Sequence, residues 1–245
     1  SVSISSDGTT AVIGAYGEDS GGLDAGAAYI FSNDGGTWSQ TAKLMADDAQ
    51  ADDNFGNSVS ISSDGTMAII GARFEASGGS NAGAAYIFTN DGGTWSQTAK
   101  LMAGDAEAND FFGGSVSISS DGTTAVIGSY IEDSGGSNAG AAYIFTNDGG
   151  TWSQTAKLLS DDIAADDWFG NSVSISSDGT TAVIGAYGED SGGSGAGAAY
   201  IFTNDGGTWS QTAKLLSDDI AADDWFGNSV SISSDGTTAV IGAYG

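Results

Sequence analysis

The sequence predicts an all-β repeat protein, a β-propeller built of four-stranded antiparallel blades. Ser1-Val2-Ser3-Ile4 recurs at Ser58, Ser115, Ser172 and Ser229, which sets a period of 57 residues. Within each period, short stretches of β-branched and aromatic residues alternate with Gly/Ser/Asp turns, the pattern of strands joined by hairpins. No helical periodicity survives the 40 glycines. A repeat of this kind marks a solenoid, propeller or array, in which one copy cannot bury its apolar face alone. The period divides the 245 residues into a single array of units 1–57, 58–114, 115–171 and 172–228 with a partial unit 229–245.

The third unit shows how each element is read. Ser115-Val116-Ser117-Ile118-Ser119 alternates polar and apolar, as a strand with one buried face does. Asp121-Gly122 reads as a two-residue type I′ turn, since both central positions of that turn need positive φ. Thr124-Ala125-Val126-Ile127-Gly128 is apolar without alternation, which predicts a strand covered on both faces. A Gly/Ser loop from Glu132 to Asn138 leads to a third strand, Ala141-Ala142-Tyr143-Ile144-Phe145, again apolar on both faces. Asn147-Asp148-Gly149-Gly150 turns the chain into Thr151 to Leu158, whose alternation puts Trp152, Ala156 and Leu158 on one side and Lys157 on the other. That strand reads as an edge with a lysine discouraging edge-to-edge pairing. An acidic loop, Ser160 to Asn171, closes the unit. Middle strands buried on both sides and an amphipathic last strand describe a blade held between neighbours.

Composition excludes several classes of function. There are 32 acidic against 5 basic residues, a net charge of −27. Nucleic-acid phosphates and anionic membrane surfaces are repelled, because binding them needs clustered Lys and Arg. Cysteine, histidine and proline are absent, so disulfides, thiolate metal sites and Ser–His or Cys–His catalysis are ruled out. No apolar run approaches the roughly 20 residues of a membrane span. No glycine-rich stretch leads into Lys-Ser or Lys-Thr, as a phosphate loop requires. Paired carboxylates can hydrolyse glycosides, but here every acid is copied round the repeat, and a catalytic pocket needs one distinctive constellation. The chain reads as non-enzymatic. It starts and stops inside its motif, and reads as a piece of a longer repeat tract.

Two recurrent motifs carry a resemblance. Phe-Gly opens the units at Phe55-Gly56, Phe112-Gly113, Phe169-Gly170 and Phe226-Gly227. A triplet follows the second strand: Gly14-Ala15-Tyr16, Gly71-Ala72-Arg73, Gly128-Ser129-Tyr130, Gly185-Ala186-Tyr187 and Gly242-Ala243-Tyr244. The chain resembles the FG-GAP repeat, the blade of the integrin α-subunit propeller and of many secreted microbial proteins. The resemblance implies a β-propeller, usually of seven blades, displayed outside the cell or on its surface for adhesion or ligand binding. Two departures stand out. The family's motif ends in proline, where this chain has Tyr or Arg. Calcium-binding members also carry an Asp-rich loop between the two motifs, where this chain has only a tight turn with one acid per copy: Asp7, Asp64, Asp121, Asp178 or Asp235.

The acidic loops are the remaining candidates for calcium, which takes several carboxylate oxygens in a flexible arrangement. Asp161, Asp162, Asp166 and Asp167 recur as Asp218, Asp219, Asp223 and Asp224, and earlier as Asp47, Asp48, Asp52 and Asp53. The equivalent loop at 103–114 keeps only Asp105, Glu107 and Asp110, and a solvated acidic loop is the competing reading. The Gly/Ser loops carrying Glu18-Asp19, Glu132-Asp133 and Glu189-Asp190 read as flexible connectors. Trp38, Trp95, Trp152 and Trp209 read as core. Trp168 and Trp225, beside Phe-Gly, read as core packing with sugar or protein contact as the alternative.

These features point to an extracellular or cell-surface module for adhesion or multivalent binding, with a protein or glycan surface as partner. The alternative is a structural subunit of a filament, sheath or appendage, partnered by copies of itself. A four-blade ring leaves 229–245 redundant and a five-blade ring lacks outer strands, so the partial unit reads as an edge able to dock on a neighbour.

Overall fold

The computed structural model of the chain describes residues 1–244. Every described element is a strand or a turn. The first sheet holds β1 (Val2–Ile4), β2 (Thr10–Ala15), β3 (Ala27–Asp34) and β4 (Thr37–Leu44); the second holds β5 (Phe55–Ile61), β6 (Met67–Ala72), β7 (Ala84–Asp91) and β8 (Thr94–Leu101). The third holds β9 (Ser115–Ile118), β10 (Thr124–Ser129), β11 (Ala141–Asp148) and β12 (Thr151–Leu158). The fourth holds β13 (Ser172–Ile175), β14 (Thr181–Ala186), β15 (Ala198–Asp205) and β16 (Thr208–Leu215). β17 (Ser229–Ile232) and β18 (Ala239–Gly242) pair alone. Within each sheet the strands pair antiparallel in their order along the chain. This is the fold class the sequence predicts, with four-stranded blades recurring along the chain.

The blades stack face to face, and residue alternation decides which neighbour each side chain meets. On β10, Ala125 and Ile127 join Ile69, Ile87 and Leu101 of the second sheet. Val126, between them, points the other way and joins Ile175, Ile184 and Phe202 of the fourth. All three are fully buried, so the continuous apolar run is two faces read as one line. The first sheet shows what the stacking supplies. Among the described residues no sheet covers its outer face, and Val2, Ile4 and Trp38 stand 73%, 57% and 44% exposed.

The inner strands meet differently. Their valines and isoleucines face the preceding sheet, while their serines reach the next one. Ser3 Oγ accepts a hydrogen bond from the amide of Ile61, Ser60 Oγ from Ile118, Ser117 Oγ from Ile175 and Ser174 Oγ from Ile232, at 3.2–3.3 Å. The polar half of Ser-Val-Ser-Ile is thus an inter-blade fastening as well as a strand face. At the ends of these strands, the amides of Ser6, Ser63, Ser120 and Ser177 donate to the carbonyls of Ser63, Ser120, Ser177 and Ser234 in turn. All five serines line one pocket of about 280 Å³, so the inner hairpins face a common axis.

Two local readings are corrected. The Asp121-Gly122 turn is not a two-residue type I′ hairpin. β9 ends at Ile118 and β10 begins at Thr124; the amide of Gly122 donates to the carbonyl of Ser119, and Asp121 accepts from Ser119 Oγ and from the amide and hydroxyl of Thr123. A side-chain-braced turn of this kind leaves only Gly122 at positive φ. The two-residue turn lies instead at Gly149-Gly150, with φ +58° and +95°.

The second correction concerns β12. A β-bulge opposite Ile144/Phe145 inserts Thr155, whose hydroxyl donates to the carbonyl of Ile144. The extra residue reverses the pleat. Trp152 therefore packs toward the second sheet, while Ala156 and Leu158 pack toward the fourth. In the second, third and fourth sheets one tryptophan of the outer strand, Trp95, Trp152 or Trp209, thus covers the preceding blade.

The Phe-Gly motif links units. Phe112 and Phe169 are fully buried and bridge in parallel to Gly83 and Gly140, which stand just before β7 and β11, the third strands of the second and third sheets. Each ring meets the rings of the next outer pair edge-on: Phe112 lies 5.5 Å from Tyr143 and 5.9 Å from Phe145.

Candidate functional site

Three kinds of polar surface remain once the core is assigned. The first recurs at each inter-blade junction. Lys214 Nζ lies 2.6 Å from Asp162 Oδ2 and 2.8 Å from Glu189 Oε1, and Tyr200 donates its hydroxyl to Asp162 at 3.0 Å. Lys157 with Asp105, Glu132 and Tyr143, and Lys100 with Asp48, Glu75 and Tyr86, repeat the arrangement. The outer-strand lysine is therefore a clamp rather than a solvated gatekeeper. The Gly/Ser loops it holds are fixed connectors, with Glu132 and Glu189 buried. Burial raises the Asp162 carboxyl, but the Lys214 ammonium and the Tyr200 hydroxyl outweigh it and hold it below its ordinary value.

The second surface is the acidic loops. Asp162 belongs to the clamp. Asp161 is exposed, its amide capped by Gln211 Oε1 at 3.0 Å. Asp166 accepts from Asn138 Nδ2 at 2.8 Å. Asp167 is buried and accepts the amide of Ala164 at 2.7 Å. Burial pushes its carboxyl up to about 6 against that amide's pull, and the Glu189 and Asp162 charges add to the rise. In the next copy Asp218 is exposed, Asp219 accepts from Ser217 Oγ at 2.6 Å, Asp224 accepts the amide of Ala221 at 2.7 Å, and Asp223 faces a cleft. The carboxylates of Asp162, Asp166, Asp167, Asp219 and Asp224 thus each have a local partner. Among the described residues no three acidic side chains converge as a metal site would need, and calcium takes about six to eight oxygens. As placed, these loops do not fit that ion.

The third surface is a rim of aromatic rings along the same loops. Phe74, Phe111 and Tyr130 form one run, with centroids 5.1 Å and 5.7 Å apart. Trp168, Tyr187, Trp225 and Tyr244 form another, with successive separations of 4.7 Å, 6.3 Å and 5.6 Å. Arg73 stacks its guanidinium 4.7 Å from the ring centre of Phe74. Trp168 is half-buried and Trp225 is 37% exposed, so neither is a core residue. The reason is backbone geometry. Phe111, Trp168 and Trp225 have φ of +58°, +54° and +52°, which turns their side chains away from the Phe that follows and out toward the rim. Bulky residues rarely adopt this conformation, and the first copy uses Asn54 there at +57°.

Tyr187 ends a Gly-Ala-Tyr triplet and Asp190 sits in a Gly/Ser loop, but Gly195, which also shapes this rim, belongs to no motif. The signal lay in comparing equivalent positions across the repeat: Asp24, Asn81, Asn138 and Gly195 occupy one position, and Gly17, Phe74, Ile131 and Gly188 another.

No helix of the described residues is long and apolar enough to cross a membrane. A family model described as "FG-GAP repeat" matches residues 1–31, 38–88, 95–145, 152–202 and 209–245. No curated protein matches the chain.

Proposed function

This chain belongs to the FG-GAP repeat family, and on that footing we propose that it is a non-enzymatic extracellular module that binds ligands at a cell surface. One observation carries the reading: three bulky aromatics at a single repeat position are held at positive φ, where Asn54 does the same backbone job without strain. Such outliers cost about 1–3 kcal/mol each and persist where they serve a purpose. Here the cost exposes rings along one rim instead of burying them. A rim of exposed aromatic side chains suits contact with a protein or glycan surface, and repetition makes the contact multivalent. The test is binding of the full chain to arrays of glycans and matrix proteins, with and without chelator. Saturable binding that Trp168→Ala and Trp225→Ala weaken supports adhesion; no binding across both arrays overturns it.

A second reading, a building block that assembles with copies of itself, draws on the uncovered face of the first sheet. Ile4, Ala11, Ile13, Phe31 and Trp38 line an apolar pocket there. Their counterparts Ile61, Ala68, Ile70, Phe88 and Trp95 are packed against the sheet before them. Sedimentation of the full chain over a range of concentrations tests this. Association that Ile13→Lys abolishes supports assembly; a monomer throughout rejects it.

A further inference from the structure

We propose that the cleft between the Trp168 and Trp225 loops is a subsite for one pyranose ring of a neutral glycan. This names the ligand of the binding reading above and rests on it. The cleft measures about 400 Å³, and two of its lining positions differ from their equivalents in the second and third repeats. Where the second and third copies place Phe74 and Ile131, the fourth has Gly188; where they place Asn81 and Asn138, it has Gly195. Both glycines line the cleft. A Cβ on Gly188 would collide with the carbonyl oxygen of Asp166 and lie 2.8 Å from Trp168 Cε3, so with the loop placed as it is no side chain fits there beside the indole.

Gly195 also changes the hydrogen-bonding. Asn81 Nδ2 donates to Asn109, and Asn138 Nδ2 donates to Asp166 at 2.8 Å. With glycine in that place, Asp223 takes no side-chain hydrogen bond among the described residues. A Cβ on Gly195 would lie 3.3 Å from Trp225 Nε1 and 3.4 Å from Asp223 Oδ1. The missing side chain thus leaves an N–H donor and a carboxylate acceptor side by side at the edge of an indole.

A sugar hydroxyl uses both groups, donating to Asp223 Oδ1 and accepting from Trp225 Nε1, while an apolar C–H face of the ring lies on tryptophan. An ammonium or guanidinium would use the carboxylate but has no acceptor for the indole N–H. The net charge of −27 disfavours uronic and sialic acids.

The experiment titrates the full chain with glucose, galactose, mannose and N-acetylglucosamine, read by tryptophan fluorescence and calorimetry. Methylated arginine and choline are run in parallel. Two variants accompany the native chain: Trp225→Ala, and Gly195→Asn, which restores the side chain that the second and third repeats carry at a matching φ. Saturable binding of a sugar that both variants weaken by about tenfold or more, with unchanged melting, supports the subsite. No sugar binding, sugar binding indifferent to Gly195→Asn, or tight binding of the cations instead overturns it. Surface adhesion that survives Gly195→Asn and free sugar would leave the general binding function standing while removing this subsite.

Discussion

Lys157 Nζ stands 2.6 Å from Asp105 Oδ2 and 2.9 Å from Glu132 Oε1, so one ammonium ties the acidic loop of one repeat to the Gly/Ser loop of the next. Glu132 is buried, and removing its counter-ion would strand the carboxylate. Breaking such a pair from one side costs about 3 kcal/mol or more. Lys157→Met is therefore expected to lower stability by about that amount in urea unfolding. Lys43 makes a single ion pair, with the more exposed Glu18, and Lys43→Met should change the midpoint little. Equal effects would show that the clamp is not what distinguishes the inner junctions.

The same junctions set the response to pH. Burial, followed by neighbouring acids, raises Asp110 and Asp167 to about 6. A raised carboxyl contributes stability that is full below its unfolded value near 3.9 and is lost as pH climbs through the folded value. Asp48, Asp105 and Asp162 are held low despite burial, by Lys100, Lys157 and Lys214 with their tyrosines. Their contribution is present above the unfolded value and disappears as pH falls through their depressed ones. Stability should therefore peak between about pH 4 and 6, higher than at pH 7.5. Asp110→Asn should raise the melting temperature at pH 7.5 and flatten this profile, since an amide oxygen can still accept from Glu107, whose amide lies 2.7 Å away. A melting temperature that rises steadily from pH 5 to 8 would contradict the assignment.

Glycines in this chain do two different jobs, and substitution separates them. A Cβ on Gly128 would collide with the carbonyl oxygen of Gly170, in the segment leading into the fourth sheet, a backbone contact that cannot swing aside. Gly128→Ala is expected to abolish folding, or to leave a protein melting more than about 10 °C lower. Gly149 has φ +58° and open space where a Cβ would go. Gly149→Ala should cost about 1 kcal/mol, and Gly149→Asn less, since Asn tolerates this conformation. Circular dichroism melts of the three variants test the ordering.

The repeat made the blade legible, because strand periodicity reports directly on which faces are buried. Ala125 to Ile127 read correctly as doubly covered for that reason. Trp152 did not, because the bulge at Thr155 is a main-chain event that alternation cannot register. The clamps were equally hidden. Lys157 meets Asp105 across 52 residues, and only the stacking of one blade on another brings them together. Trp168 and Trp225 read as core packing because they stand beside Phe-Gly, while their placement at the rim is set by a positive φ that tryptophan itself does not announce. Gly195 was visible in principle, as the one departure at its position that removes a side chain and not merely exchanges it.

Trp168 offers the sharpest separation of rim from core. At φ +54° its backbone pays for a conformation that Asn54 occupies at +57° in the first copy. Trp168→Asn should recover about 1 kcal/mol of that strain and forfeit about the same in stacking on Tyr187, which lies 4.7 Å away. The two nearly cancel, so the melting temperature is expected to move by no more than about 2 °C. A buried tryptophan would behave otherwise, since emptying its site costs about 3–5 kcal/mol. Trp168→Asn with near-native melting and weakened surface binding places this ring at the service of a ligand; a collapse in stability would return it to the core and remove the argument from strain.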